Sequence, residues 1–411
     1  MASTVSAFSN RDVRLANARA VLRHMWTAEA QTGSDLMLAT GLTRATVHDV
    51  CQELRDRGWI EELANQRDHG GYVKGRPARR YAFAARAGVV VGVDAGGHRV
   101  IATVADLRGR VLSQRTRELP GAADEATEIA QRLETVSETV LEALVAEGIS
   151  SEMVLAVGVG LPAPVASDGR TVTRTNAFWN RINADIGAHL SAAHGWTVLV
   201  DNDANLAALA ERWVGSGGSS DHFVTLLASE RLGAGVIEAG RVFRGSSGRG
   251  GEMSWLNLVE GVGSADGIGL LSRRWTLEAL AAGRGARDSS LRQLGANDLT
   301  TELVFDAARN GDPLAAAVVR RLGEQFSRVC AAIAKAFDSD LIIIAGGVAA
   351  AIVPILEIIR QELPALVEPP VPQVVASLLG DGVVSTGALR HVIDHVQEHA
   401  LEIALPHHAG L

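Results

Sequence analysis

Three stretches of this chain constrain its fold more than any others. Each is a nearly all-apolar run that leads to closely spaced glycines: "GVVVGVDAGG" up to Gly97, "FVTLLASERLGAG" up to Gly235, and "LIIIAGG" up to Gly347. A run that is apolar on both faces reads as a central strand, buried on both sides. Glycines beyond such a strand let the backbone turn tightly, and the amides that a turn exposes can hold a phosphate. Gly96 and Gly97, Gly233 and Gly235, and Gly346 and Gly347 are therefore read as three phosphate-type turns. Asp94, at the end of the first strand, is either part of that turn chemistry or a plain strand-end turn residue. Ligand crevices in α/β folds lie at the carboxyl ends of strands. Three such turns in one chain imply one cleft between two α/β lobes.

The rest of the pattern fills in those lobes. A chain of 411 residues is too long for one ordinary core. A helix is expected over roughly Asp124 to Glu147, and "VLAVGVGLPAPV" reads as a second buried strand. "TVLVDNDANLAALAERWVG" reads as a strand running into a helix that begins near Ala204, with Asp201 as its cap. "VVSTGALRHVIDHVQEH" reads as a C-terminal helix. The boundaries that follow are a head over 1–85, a first lobe over 86–213 with the C-terminal helix 384–411 packed on it, and a second lobe over 214–383.

The head has its own signature. Ser34 is placed to cap a short helix over Asp35 to Thr40, which Gly41 ends in a left-handed conformation. Thr43 caps the next helix, whose apolar face is Val47, Val50, Cys51 and Leu54 at i, i+3, i+4 and i+7. Two short helices joined by a tight glycine turn form a helix-turn-helix. "WIEELA" and "RRYAFA" then read as two strands flanking a loop, a wing. Thr43, Arg44, Thr46, His48 and Gln52 are the candidate DNA contacts of the second helix, since Arg and Gln can read purine edges in the major groove. Arg76 sits on the wing between Gly75 and Pro77, where an arginine can enter the minor groove. Charge agrees in sign: residues 1–85 carry 12 Lys/Arg against 9 Asp/Glu, and the remainder carries 27 against 38. A basic head on an acidic body points to double-stranded DNA as the partner of the head alone. The two cysteines, Cys51 and Cys330, exclude a disulfide framework and suit a reducing compartment. No apolar run is long enough to cross a bilayer and the first residues do not read as a secretory signal. A cytoplasmic protein with no membrane partner is expected.

Beyond these readings, the body resembles the ROK family (repressors, open reading frames and kinases). The matching segments are "VDAGGHRV", "GLPAP", "NAFW", "DNDAN", "LGAGVIEAG", "GGEMSW" and "IIIAGGV". The resemblance implies an α/β architecture: an N-terminal winged helix-turn-helix followed by a two-lobed sugar-kinase/actin-like ATPase (ribonuclease H-like) body. It implies that Asp203 stands where a kinase has its general base, that Asn176 and Asn202 hydrogen-bond sugar hydroxyls, and that Glu252 takes two more. Trp255 stands where the family has a histidine, and either stacks on a sugar ring or fills space. The phosphate side departs from the kinase pattern. Ser229-Glu230-Arg231 replaces Gly-Thr-Gly, and His98 follows Gly97 in place of Thr. The family's Cys-rich zinc motif is absent, so neither metal nor cofactor is expected. The implied function is a sugar-responsive DNA-binding regulator, a repressor of carbohydrate uptake or catabolism genes. It would act as a homodimer or homotetramer on an inverted-repeat operator, with a sugar or sugar phosphate as effector. In this reading Asp203 is a vestigial base and no catalysis remains. Two alternatives stand: an ATP-dependent sugar kinase with a DNA-binding head, and a regulator controlled by a protein partner without a sugar ligand.

Overall fold

The structure is a computed structural model, and it describes residues 10–63, 79–121, 124–166, 185–283, 289–296 and 298–406. Two five-stranded sheets form the body. In the first, β4 (Val89–Ala95), β5 (Arg99–Asp106) and β6 (Val111–Glu118) are an antiparallel meander, and β7 (Val154–Leu161) and β8 (Val198–Asn202) add in parallel beyond β4. The spatial order is β6-β5-β4-β7-β8. The second sheet repeats that connectivity with β9 (Phe223–Leu227), β10 (Gly233–Glu238), β11 (Arg241–Val242), β12 (Leu341–Ala345) and β13 (Gln373–Ala376), in the order β11-β10-β9-β12-β13. The near-uniform apolarity of β4 and β12 follows from their internal positions, paired on both edges and covered on both faces.

Helices cover the sheets. On the first lie α4 (Glu125–Val145) and α5 (Ile186–His194), and α6 (Asp203–Val214) follows β8 directly. The second is backed by α7 (Ile268–Ala281), α8 (Thr301–Arg309), α9 (Pro313–Phe337) and α10 (Val353–Leu366). The last helix, α11 (Val383–His399), lies on β4 and β7 and crosses α6. Its seating is backbone against backbone. A β-carbon at Gly92 of β4 would lie 2.1 Å from the Ser385 carbonyl oxygen, one at Gly158 of β7 2.5 Å from the Ala388 oxygen, and one at Gly387 of α11 only 1.7 Å from the Leu206 oxygen.

The head contains α1 (Asn10–Thr27), α2 (Gly33–Thr40) and α3 (Arg44–Asp56), with a three-stranded sheet in the order β1 (Gln31–Thr32), β3 (Arg80–Phe83), β2 (Ile60–Leu63). Thr43 caps α3 and Gly41 ends α2 at φ 71°, as the sequence implies. One cap differs. Thr32, not Ser34, caps α2, because Asp35 stands at the third helical position and reaches back to the Thr32 amide in a capping box.

The head shares its core with the body. Trp26, Trp59 and Phe83 cluster, with the Trp59 and Phe83 ring centroids 5.9 and 4.4 Å from that of Trp26, and Val392, Ile393, Val396 and Leu401 from the C-terminal region pack into the same cluster. Polar contacts fix the orientation. Trp26 Nε1 donates to the Leu107 carbonyl at 2.8 Å, Arg108 to that of Ala28 at 2.7 Å, and Arg57 to that of Leu401 at 2.8 Å. Among the described residues no helix is long and apolar enough to cross a membrane.

Gly387→Ala is expected to destabilise the chain by about 1–3 kcal/mol or more, because a rigid backbone oxygen occupies the space of the new methyl. Gly97→Ala, whose methyl would meet nothing within 4 Å, is expected to stay within ~0.5 kcal/mol of the wild type. Urea titrations of the two variants check the contrast.

Candidate functional site

The junction of β8 and α6 places the carboxylate cluster quoted above at the carboxyl end of the edge strand of the first sheet. Asn202, not Asp201, caps α6. Its Oδ1 accepts from the amides of Ala204 and Asn205 at 3.0 and 3.1 Å, and its Nδ2 donates to the Ala163 carbonyl at 3.1 Å. The amide expected to meet sugar hydroxyls is thus engaged at both ends by the fold. Asp201 is buried instead beneath the cleft, paired with Arg244 at 2.6 Å and accepting from Asn205 Nδ2 at 3.2 Å. The β-branched strand and the DNDAN run pointed to a cap here, but which Asn or Asp fills it depends on where the strand ends.

Asp203, the first residue of α6, faces the cleft. Its Oδ1 accepts from the Ala204 amide at 2.7 Å and lies 3.9 Å from where a β-carbon on Gly233 would be. Burial pushes its carboxyl up to about 8, and the charges of Asp94 and Glu252 add to the rise. Asp94, at the end of β4, is pushed up to about 7 by burial; Asp381 adds to this, while Arg99 and Arg132 oppose it. Glu252 is raised by burial and held back by Arg249 and Arg231. The structure therefore brings Asp94 and Glu252, from segments on either side of it in sequence, within electrostatic reach of Asp203. Trp255, in a short 3-10 turn just after Glu252, is half-buried and packs against the core of the second sheet. Asn176 lies outside the described residues. Among the described residues, no group of three His, Cys, Asp or Glu is placed to hold a metal ion.

The phosphate-type turns divide. Gly96 and Gly97 do form an exposed turn between β4 and β5. Behind it lies Arg132 of α4, only 2% exposed, which donates to the carbonyls of Ala95, Gly96 and Gly97 at 3.2, 2.9 and 3.4 Å. Sequence reasoning missed Arg132; the available signal was an arginine on the same helix face as Thr135, Val136 and Thr139. Gly346, at φ 100°, and Gly347 follow β12 as a turn, with a β-carbon at Gly346 only 3.0 Å from Ser229 Oγ. Gly233 and Gly235, in contrast, lie inside β10 rather than in a turn. Gly235 is needed for packing: a β-carbon there would be 2.0 Å from the Ala204 carbonyl of α6.

Between these turns is a cavity of about 520 Å³ lined by Arg99, Ser229, Glu230, Arg273, Thr301 and Gly347, among others. Both arginines of its lining are already paired. Glu230 takes both terminal nitrogens of Arg273 at 2.8 and 2.6 Å, and Asp381 takes Arg99 at 2.7 Å. The negative charge expected to repel a polyphosphate is neutralised, and the two arginines best placed to attract one are engaged.

On the head, Arg44 and His48 are exposed on α3, and Arg44 makes no ion pair among the described residues. The Thr43 hydroxyl caps the helix and bonds the Thr46 hydroxyl at 2.9 Å. Gln52 donates to Asp56 and accepts from Arg55, both at 2.7 Å, so its amide is held within the head. Arg76 lies outside the described residues.

Two sheets of one repeated connectivity, with a carboxylate-bearing strand–helix junction and glycine turns between them, define a two-lobed α/β body of the sugar-kinase type. The chain belongs to the ROK family, whose profile matches residues 90–394. It is 28% identical over 275 residues to a glucokinase of Thermotoga maritima, covering 64% of this chain and 83% of that protein. It is 23% identical over 315 residues to a xylose repressor of Caldicellulosiruptor bescii, covering 74% and 76%. A solved ROK family transcriptional regulator, described as a homologue of the E. coli MLC protein, superposes with a TM-score of 0.73 at 23% identity, over 95% of this chain and 98% of that one.

The raised carboxyls fix a pH dependence. Between the ordinary aspartate value near 4 and about 8, folded Asp203 keeps a proton that the unfolded chain has released. Its contribution to stability therefore falls as pH rises through that window. Asp203→Asn is expected to be more stable than the wild type at pH 8.5 by roughly 1–3 kcal/mol, the order for relieving an unpaired buried polar group. The gap should shrink toward pH 5, as followed by urea midpoints.

Proposed function

We propose that this chain is a sugar-responsive DNA-binding transcriptional regulator, a repressor of carbohydrate uptake or catabolism genes, whose kinase-like body binds its effector without catalysis. In this reading 1–85 is a winged helix-turn-helix, with α3 entering the major groove and the β2–β3 hairpin as the wing. Residues 86–213 with 384–411, and 214–383, are the two lobes, and Asn176, Asn202, Asp203, Glu252 and Trp255 form the sugar site. Thr43, Arg44, Thr46, His48, Gln52 and Arg76 are the DNA contacts. Two copies would place their α3 helices about one DNA turn apart on an inverted repeat. The free, buried thiols of Cys51 and Cys330 suit a cytoplasmic setting.

One observation carries the reading: a single helix joins the cleft to the head. Just before α11, Asp381 pairs with Arg99 at the cleft; just after it, Leu401 and Glu402 hold Arg57 and Arg19 of the head. At about 1.5 Å per residue its 17 residues span about 25 Å. The same helix meets α6, whose first residue is Asp203, at the Gly387–Leu206 contact. An effector that shifts α6 or Asp381 therefore moves a rigid element packed under the head. Coupling of this kind is typically ~1–3 kcal/mol. The repressor relatives support the reading.

A second reading, a sugar kinase with a DNA-binding head, is favoured by the retained Asp203 and by the similarity to a glucokinase. The paired charges around the 520 Å³ cavity weigh against it, since a polyphosphate would have to displace Glu230 and Asp381 from their arginines.

Gel shifts on the DNA upstream of the chain's own gene, repeated with a panel of sugars, are expected to show a retarded complex that one sugar class weakens. Arg44→Ala is expected to lower sequence-selective binding by roughly 1–3 kcal/mol while leaving nonspecific binding nearly intact. Asp203→Asn is expected to blunt the sugar response and spare operator affinity. Robust ADP release in a coupled assay over hexoses and pentoses would instead establish the kinase.

A further inference from the structure

The sugar side of the cleft carries two arginines whose side chains have no partner among the described residues. Arg231 and Arg249 are both exposed, and neither side chain has a hydrogen bond or an ion pair within 4 Å among the described residues. Almost every other cleft arginine is taken: Arg99 by Asp381, Arg132 by three carbonyls, Arg244 by Asp201 and Arg273 by Glu230.

Backbone contacts place both of them beside the carboxylate-bearing segments. Arg231 forms an isolated bridge opposite Asp266. Glu230 is held by Arg273 beside the 520 Å³ cavity, whose lining does not include Arg231. Two residues further on, Gly233 abuts Ala204 and Asp203. Arg249 opens a turn closed by the Glu252 amide on the Arg249 carbonyl at 3.1 Å. That turn is pressed onto β10, where a β-carbon at Gly251 would lie 1.7 Å from the Ala234 oxygen. Arg231 and Arg249 are also the two cations whose fields reach Glu252. They therefore flank the same carboxylate from two different segments, with their donors free.

A neutral sugar gives such a pair nothing to neutralise. An arginine fork matches a phosphate or a carboxylate, with charge-assisted hydrogen bonds that no hydroxyl equals. We propose that Arg231 and Arg249 form the subsite for an anionic substituent of the effector, so that the chain responds to acidic sugars, bearing a phosphate or a carboxylate, in preference to neutral ones. This rests on the reading of the cleft as an effector site and specifies the class of ligand that it takes.

The test is calorimetric titration of the full chain with hexoses and pentoses, their phosphates and their uronates, and with inorganic phosphate alone, at matched ionic strength. Wild type, the double variant Arg231→Gln/Arg249→Gln and Asp203→Asn are compared, with urea midpoints to establish that each variant is folded. The acidic member of the responsive pair is expected to bind about ten- to a hundredfold more tightly than its neutral parent. The double variant should lose that difference and keep its affinity for the neutral sugar, whereas Asp203→Asn should weaken both members together. The phosphate and uronate arms decide which acid group is recognised. Equal or tighter binding of the neutral parent overturns the proposal, and so does an acid preference that survives in the double variant. Inorganic phosphate that binds wild type and double variant alike would locate the anion elsewhere and overturn it too. If no sugar of any charge binds and none alters the complex with operator DNA, the effector reading itself falls, an outcome distinct from neutral sugars winning.

Discussion

The structure depends on the seating of α11 against bare backbone. Where this helix meets β4, β7 and α6, the contact surfaces are Gly92, Gly158 and Gly387, and a single added methyl would overlap a carbonyl oxygen at each. Helix and sheet approach closer there than any side chain permits, so the first sheet, α6 and α11 form one stiff body. Packed interiors deform in steps rather than smoothly. In the proposed regulator, a change at the start of α6 would be carried along α11 rather than absorbed around it. The head is attached to the far end of that body by an aromatic cluster and several backbone-directed hydrogen bonds. A tether would isolate the head from the cleft; a shared core couples them.

The electrostatics of the cleft separate into two halves with different states. On the side of Ser229 and Gly347, opposite charges are paired within the chain, and the cavity is left without net attraction for a polyanion. On the side of Asp203 and Glu252, burial raises the carboxyls above their ordinary range, and the side chains of two arginines have no partner among the described residues. Burial dominates these shifts, because it penalises the charged form before any neighbour acts. A carboxyl that is neutral near pH 7 donates a hydrogen bond as well as accepting one.

Much of this was legible in the residues themselves. The apolar runs ending at Ala95 and Ala345 marked β4 and β12, and the spacing of Val47, Val50, Cys51 and Leu54 marked α3, because periodicity is a local property of the chain. Asp203 was identified through the resemblance of its segment, and it does stand at a strand–helix junction facing Gly233. The reading went astray where a residue type has two uses. Gly233 and Gly235 looked like a turn but serve a strand that lies tight against α6. Asp201 looked like a cap but is the buried partner of Arg244, 43 residues away.

What the sequence alone determined is the set of elements: two families of buried strands, a strand–helix junction rich in carboxylates, and a head of short capped helices. These follow from the order of apolar, polar and glycine residues over a few turns of chain. What only the tertiary structure decided is which charges meet. Glu230 with Arg273, Asp381 with Arg99 and Arg132 with the turn at Gly96 all join segments that are far apart in sequence. Ion pairing depends on separations of a few ångströms between side chains, and those are set by packing, which no local pattern encodes.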